Sequence, residues 1–135
     1  MAIKVSGTTV IDDSRNIANV GTVNATNFSG KLTLTGTPIE DVYTLSGTTV
    51  ALEPDNGSVQ THTLSGNTTY TDAFSSGQAI TLMIDDGSAY TITWPTMTWV
   101  NNGAAAPTLA TSGYTVVALW KVSTTLYGAL VGDGS

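Results

Sequence analysis

The stretch TVVALWKVSTTLYGALV, residues 115–131, decides how this chain must be built. Two runs of β-branched, aromatic and aliphatic residues flank the small polar pair Ser123-Thr124, which reads as two strands joined by a two-residue turn. Side chains alternate between the faces of a strand. One face therefore carries Val116, Ala118, Trp120, Val122, Tyr127, Ala129 and Val131, and the other Val117, Leu119, Leu126 and Leu130. Both faces are apolar. An antiparallel pair of this kind belongs either in the middle of a layered fold or against another subunit. Closure at Ser123-Thr124 makes Trp120 and Tyr127 cross-strand partners.

Upstream of this hairpin the same vocabulary continues. TTVALE, SVQTHTLS, AITLMID and AYTITW are short strand-like runs, punctuated by EPDNG, DDGS and NNGAAAP. Thr is abundant, Gly, Asn and Ser supply the turns, and helix-forming Glu, Lys and Arg are scarce, so the chain reads as all-β. Regularly spaced short strands point to an antiparallel β-sandwich or a jelly-roll-like domain, with a barrel as the remaining possibility. The register of one further hairpin follows from matching apolar faces: Ile80, Leu82 and Ile84 against Tyr90, Ile92 and Trp94, with Leu82 opposite Tyr90 and a loop at Asp85, Asp86 and Gly87.

Residues 1–41 differ in character from residues 42–135. The first segment is rich in Asn, Gly and Thr, with isolated apolar residues at Val10, Ile11, Ile17, Val20, Val23 and Phe28. Short β pieces of this sort cannot enclose a core, which predicts an extended, intertwined β segment that needs partners, followed by a head domain. The pentapeptide SGTTV occurs at 6–10 and again at 46–50 and reads as a shared strand-and-turn device.

At 135 residues the chain suffices for one compact domain, and a charged fraction of 10% with 41% hydrophobic residues argues against disorder. Four basic residues, Lys4, Arg15, Lys31 and Lys121, stand against ten acidic ones, which argues against binding nucleic acid or an anionic membrane. The chain has no Cys, hence no disulfide or thiol chemistry. No apolar run is long enough for a membrane span, and the opening MAIKVSGTT lacks the apolar core of a secretory signal. Synthesis in a cytoplasm is the expectation.

The pattern VSGTTVIDDSRNIANVGTVNATNFSG, residues 5–30, resembles a short module of bacteriophage tail fibres and related virion appendage proteins. LMIDDGSAYTITWP, LATSGYTV and LWKVSTTLYGA also resemble a domain of phage tail and other virion proteins. The resemblance implies a non-enzymatic virion structural protein on the particle exterior, homotrimeric, and partnered with phage coat or tail proteins. Its place would be either a capsid decoration (cement) protein or a tail fibre component. Contacts would come from Val10, Ile11, Ile17, Val20, Val23 and Phe28 in the first segment and from Val117 and Leu119 in the last hairpin.

Candidate chemistry is sparse. The sole histidine, His62, sits in an alternating strand, and no GxSxG, HExxH or GxxxxGK[ST] motif accompanies it. Asp12-Asp13 and Asp85-Asp86 lack the alternating ligand spacing of a calcium loop and read as turn residues. No enzyme, cofactor or metal is expected. The alternative from another class is a carbohydrate-binding module that takes a host-surface glycan on the ring of Trp94 or Trp99.

Overall fold

The computed structural model describes residues 3–5, 8–11, 33, 35–85, 89–100 and 104–134, the first two stretches as backbone only. The chain divides into two compact units, Met1–Thr37 and Pro38–Ser135. In the first, β1 (Ile3–Val5) and β2 (Thr8–Ile11) pair antiparallel, with Val5 opposite Thr8. Val10 and Ile11 lie in β2, whereas Ile17, Val20, Val23 and Phe28 fall outside the described residues.

The second unit contains β3 (Val42–Leu45), β4 (Thr49–Leu52), β5 (Val59–Thr63), β6 (Thr68–Asp72), β7 (Ala79–Asp85), β8 (Ile92–Thr93), β9 (Thr98–Trp99), β10 (Tyr114–Val122) and β11 (Thr125–Gly134). A six-stranded sheet runs β3-β5-β7-β10-β11-β9 and a three-stranded sheet runs β4-β6-β8. From β3 to β9 consecutive strands thus alternate between the sheets. β3, β5 and β7 pair parallel in one, and β4, β6 and β8 pair parallel in the other. The pairs β3–β4, β5–β6 and β7–β8 are three successive turns of a flattened coil. Among the described residues of this unit, only β7–β10 and β10–β11 are antiparallel.

The all-β, two-sheet architecture agrees with the reading of the sequence, and so does the last hairpin. Val122 faces Thr125 across the Ser123-Thr124 turn, and Trp120 faces Tyr127. Their rings stack at 5.8 Å and 13°. Ser123 has φ 55°, as the first central residue of a two-residue hairpin loop must. Strand direction departs from the expectation, since the pairings within the coil are parallel. The hairpin expected between residues 80–84 and 90–94 does not form: Leu82 stands between Val117 of β10 and Gln60 of β5, and β8 belongs to the other sheet. Both apolar faces do point inward, but from opposite sheets, so they meet across the core instead of side by side.

Alternation drives the packing. β7 buries Ile80, Leu82 and Ile84, β10 buries Thr115, Val117 and Leu119, and β4 contributes Val50 and Leu52 from the other side. Leu45, Leu64, Tyr70, Phe74, Trp99 and Leu126 complete the core. Val117 and Leu119 are 0% exposed. They are core residues and cannot touch a partner, because the even–odd phase of β10 turns them inward while Ala118 and Trp120 face out.

Polar links fix the ends of the coil. The buried Gln60 amide donates to the carbonyls of Glu53 (2.7 Å) and Gly57 (3.1 Å), pinning the turn Pro54–Asn56 that leads into β5. A Cβ on Gly57 would lie 2.7 Å from the Asp41 carbonyl oxygen, so only glycine admits this approach. Lys121, at the end of β10, reaches across to the Asp72 carboxylate (2.7 Å) and the Phe74 carbonyl (3.0 Å), joining the two sheets.

Candidate functional site

Two surfaces of the second unit carry chemistry. The first is a groove of about 450 Å³ whose walls include Tyr90, Ile92 and Trp94 on one side and Pro107, Thr108 and Leu109 on the other. β8 is the outer strand of its sheet, and Pro95 follows Trp94 directly, which limits how far β8 can extend its ladder. Thr91 fixes the near wall: its N–H donates to Asn67 Oδ1 (3.0 Å), and its carbonyl accepts from the Thr68 N–H (2.9 Å). The far wall is tied down by the Thr115 hydroxyl, which accepts from the Ala110 N–H at 2.6 Å.

Behind the groove runs a chain of rings. Trp94 is half-buried, tilted against Tyr70 at 5.3 Å and edge-on to Trp99 at 5.0 Å. Tyr70 in turn lies edge-on to His62 at 5.7 Å, and its hydroxyl is 2.7 Å from His62 Nδ1. Burial raises the Tyr70 phenol well above its ordinary pKa, keeping it protonated. We assign the phenol as donor to Nδ1, which places the imidazole proton on Nε2. Nε2 and the neighbouring Gln60 Oε1 have no hydrogen-bond partner among the described residues.

Burial also lowers the pKa of His62 below its ordinary 6.5, with the Gly47 backbone pulling weakly the other way. The folded protein holds the ring neutral, so the unfolded chain takes up the proton first as pH falls. His62 is the only histidine. Stability is therefore complete above pH 6.5 and falls as pH drops from there through the depressed folded value. Urea midpoints should decrease between about pH 7 and pH 5, and the slope should flatten in His62→Gln. Equal slopes in the two proteins would show that His62 is not buried as a neutral ring.

The second surface is the outer face of the six-stranded sheet. In register across it lie Val42, Val59, Thr81, Ala118 and Ala129, flanked by the row Ala79, Trp120 and Tyr127 and by Met83 with Val116. Val42 is 66% exposed, Val122 57% and Val131 65%. Val131 is the extra residue of a bulge opposite Val116 and Val117. Among these outward positions the one charged side chain is Asp85, at the end of β7. On the three-stranded sheet the outer face is different: Thr49, Thr69 and Thr93 align across β4, β6 and β8, all exposed.

The two expected glycan platforms have separate fates. Trp99 is 7% exposed and belongs to the core, because Thr98 and not Trp99 takes the outward position of β9. Trp94 reaches the groove. Sequence reasoning missed Tyr90 and Leu109, since residues 90–94 and 106–111 meet only after the chain has gone round β9. Among the described residues no three His, Cys, Asp or Glu side chains gather as a metal site, and no helix is long and apolar enough to cross a membrane. No known protein family, curated protein or solved structure matches this chain.

Proposed function

We propose that this is a non-enzymatic structural protein of a virus particle, placed on its exterior and working by self-association, as a trimer, and by attachment to coat or tail proteins. The observation that carries the self-association is the outer face of the six-stranded sheet. Five adjacent strands at ~4.8 Å spacing and some 20 Å in length give a flat area on the order of 500 Å². A stable interface needs ~800 Å² per partner, so this reading assigns further contact to the N-terminal segment. The chain carries a net charge of −6, and copies repel except where they meet through a neutral patch. The similarity of VIDDSRNI and its surroundings to virion appendage modules supports the location.

Ala118 and Ala129 pair at the centre of that face. Lysine at either position can reach solvent in an isolated chain, so folding should be retained, while an ammonium in a dry interface should dissociate the assembly. Light scattering on Ala118→Lys and Ala129→Lys should give the mass of a single chain against a multiple for the native protein. An unchanged assembly in both variants would move the interface elsewhere. Immunogold labelling of virions tests the location: label over the head corresponds to a capsid decoration protein and label on the tail to an appendage, whereas unlabelled particles would end the virion reading.

A further inference from the structure

We propose that the groove beside β8 binds a neutral saccharide, with one sugar ring stacked on Trp94 and Tyr90 and its hydroxyls reaching Thr91 and Thr108. Four features lead there. The groove's volume of about 450 Å³ falls within the ~300–1,000 Å³ range of small-molecule sites. Among the described residues its lining combines two aromatic rings and aliphatic side chains with threonine hydroxyls and includes no charged residue, although the chain as a whole is strongly acidic. A ligand with flat apolar C–H faces and uncharged hydroxyls complements that lining, and an acidic sugar does not, because the described lining residues include no cation to receive it.

The third feature is rigidity. Trp94 is held by Tyr70 at 5.3 Å and by Trp99 at 5.0 Å, and Tyr70 is held by its 2.7 Å hydrogen bond to His62. The platform therefore has little rotamer freedom to lose on binding, a condition under which a shallow contact yields measurable affinity. His62 and Tyr70 act as positioning residues for it. The fourth feature is the edge itself. β8 spans only Ile92–Thr93, too short a ladder to recruit an incoming peptide strand by backbone pairing, which leaves ring stacking and hydroxyl contacts as the groove's means of recognition. This inference does not depend on the virion location or on self-association.

The test is a glycan array of neutral and acidic oligosaccharides, followed by tryptophan-fluorescence titration of the strongest neutral responder against the full-length protein. The expected result is binding of at least one neutral oligosaccharide, weakened about tenfold or more by Tyr90→Ala and by Thr108→Trp. Thr108 is exposed, so the introduced indole should fill the groove from outside and leave the core intact, to be checked by circular dichroism on the same sample. Thr108→Trp thus keeps the test sound if Tyr90→Ala perturbs folding. Absence of neutral-glycan binding, response to acidic glycans alone, or neutral binding undiminished in Thr108→Trp would each overturn the proposal. So would loss of self-association in Thr108→Trp without any glycan response, which would make the groove a contact between copies.

Discussion

Lysine in place of Leu119 unfolds the second unit. Leu119 is 0% exposed, facing Ile80 on β7 and Gly128 on β11. A Cβ at Gly128 would lie 3.0 Å from Leu119 Cδ2, so glycine is the residue that makes room for the leucine. Among the described residues the buried core holds no carboxylate with which an ammonium here could pair. Leaving a charge unpaired in a core costs ~3–5 kcal/mol or more, even after the group neutralises itself, and a domain of this size has ~5–15 kcal/mol of stability in total. Loss of Leu packing adds to the cost. Circular dichroism and urea titration of Leu119→Lys should show a largely unfolded chain, whereas Ala118→Lys, one residue away on the outer face, should keep the native spectrum. A Leu119→Lys protein as stable as the native one would mean that the phase of β10 is reversed.

Tyr70→Ala should have the next largest effect. The ring is 1% exposed and sits between His62 and Trp94. Removing a buried aromatic ring costs ~3–5 kcal/mol, and the phenol's departure strips His62 Nδ1 of its partner at a further ~1–3 kcal/mol. Tyr70→Phe isolates the second contribution, since it retains the ring. Chemical denaturation of both variants separates the two. Trp94 also loses the ring beside it, so the tryptophan emission of folded Tyr70→Ala should differ from that of Tyr70→Phe. A Tyr70→Phe variant as stable as the native protein would show that the hydroxyl–imidazole bond contributes nothing.

Much of this fold is legible in the sequence because alternation is a local property. Ile80, Leu82 and Ile84 are inward in the structure, as alternation requires, and the Trp120–Tyr127 pair follows from the turn between them. Which sheet a strand joins is not local. The pentapeptide SGTTV shows this directly: Thr8 to Val10 of its first copy lie in β2, paired antiparallel with β1, whereas its second copy leads from β3 in one sheet to β4 in the other. In the second copy Gly47 has φ 91°, a conformation favouring glycine, and the turn carries the chain across the core. The coil also escapes notice as a repeat. Val42, Val59 and Thr81 occupy one register position, but the connections between them differ in length, so no fixed period emerges. The groove was half legible. Trp94 stands out as a large aromatic before a proline, but its opposite wall comes from Pro107 to Leu109, and nothing in either stretch announces the other.

The uneven coil has a consequence for how such a protein can change. In β3 to β8 each turn pairs with its neighbouring turns, and the last one also with β10, so the coil's length is set by a count of turns and not by a closed geometry. One more turn inserted between β4 and β5 would lengthen the stack by ~4.8 Å while leaving the β10–β11 hairpin and the contacts of the aromatic groove across β6 and β8 as they are. Reach can then be adjusted in small steps without redesigning either end, a freedom that a closed barrel of the same size does not have.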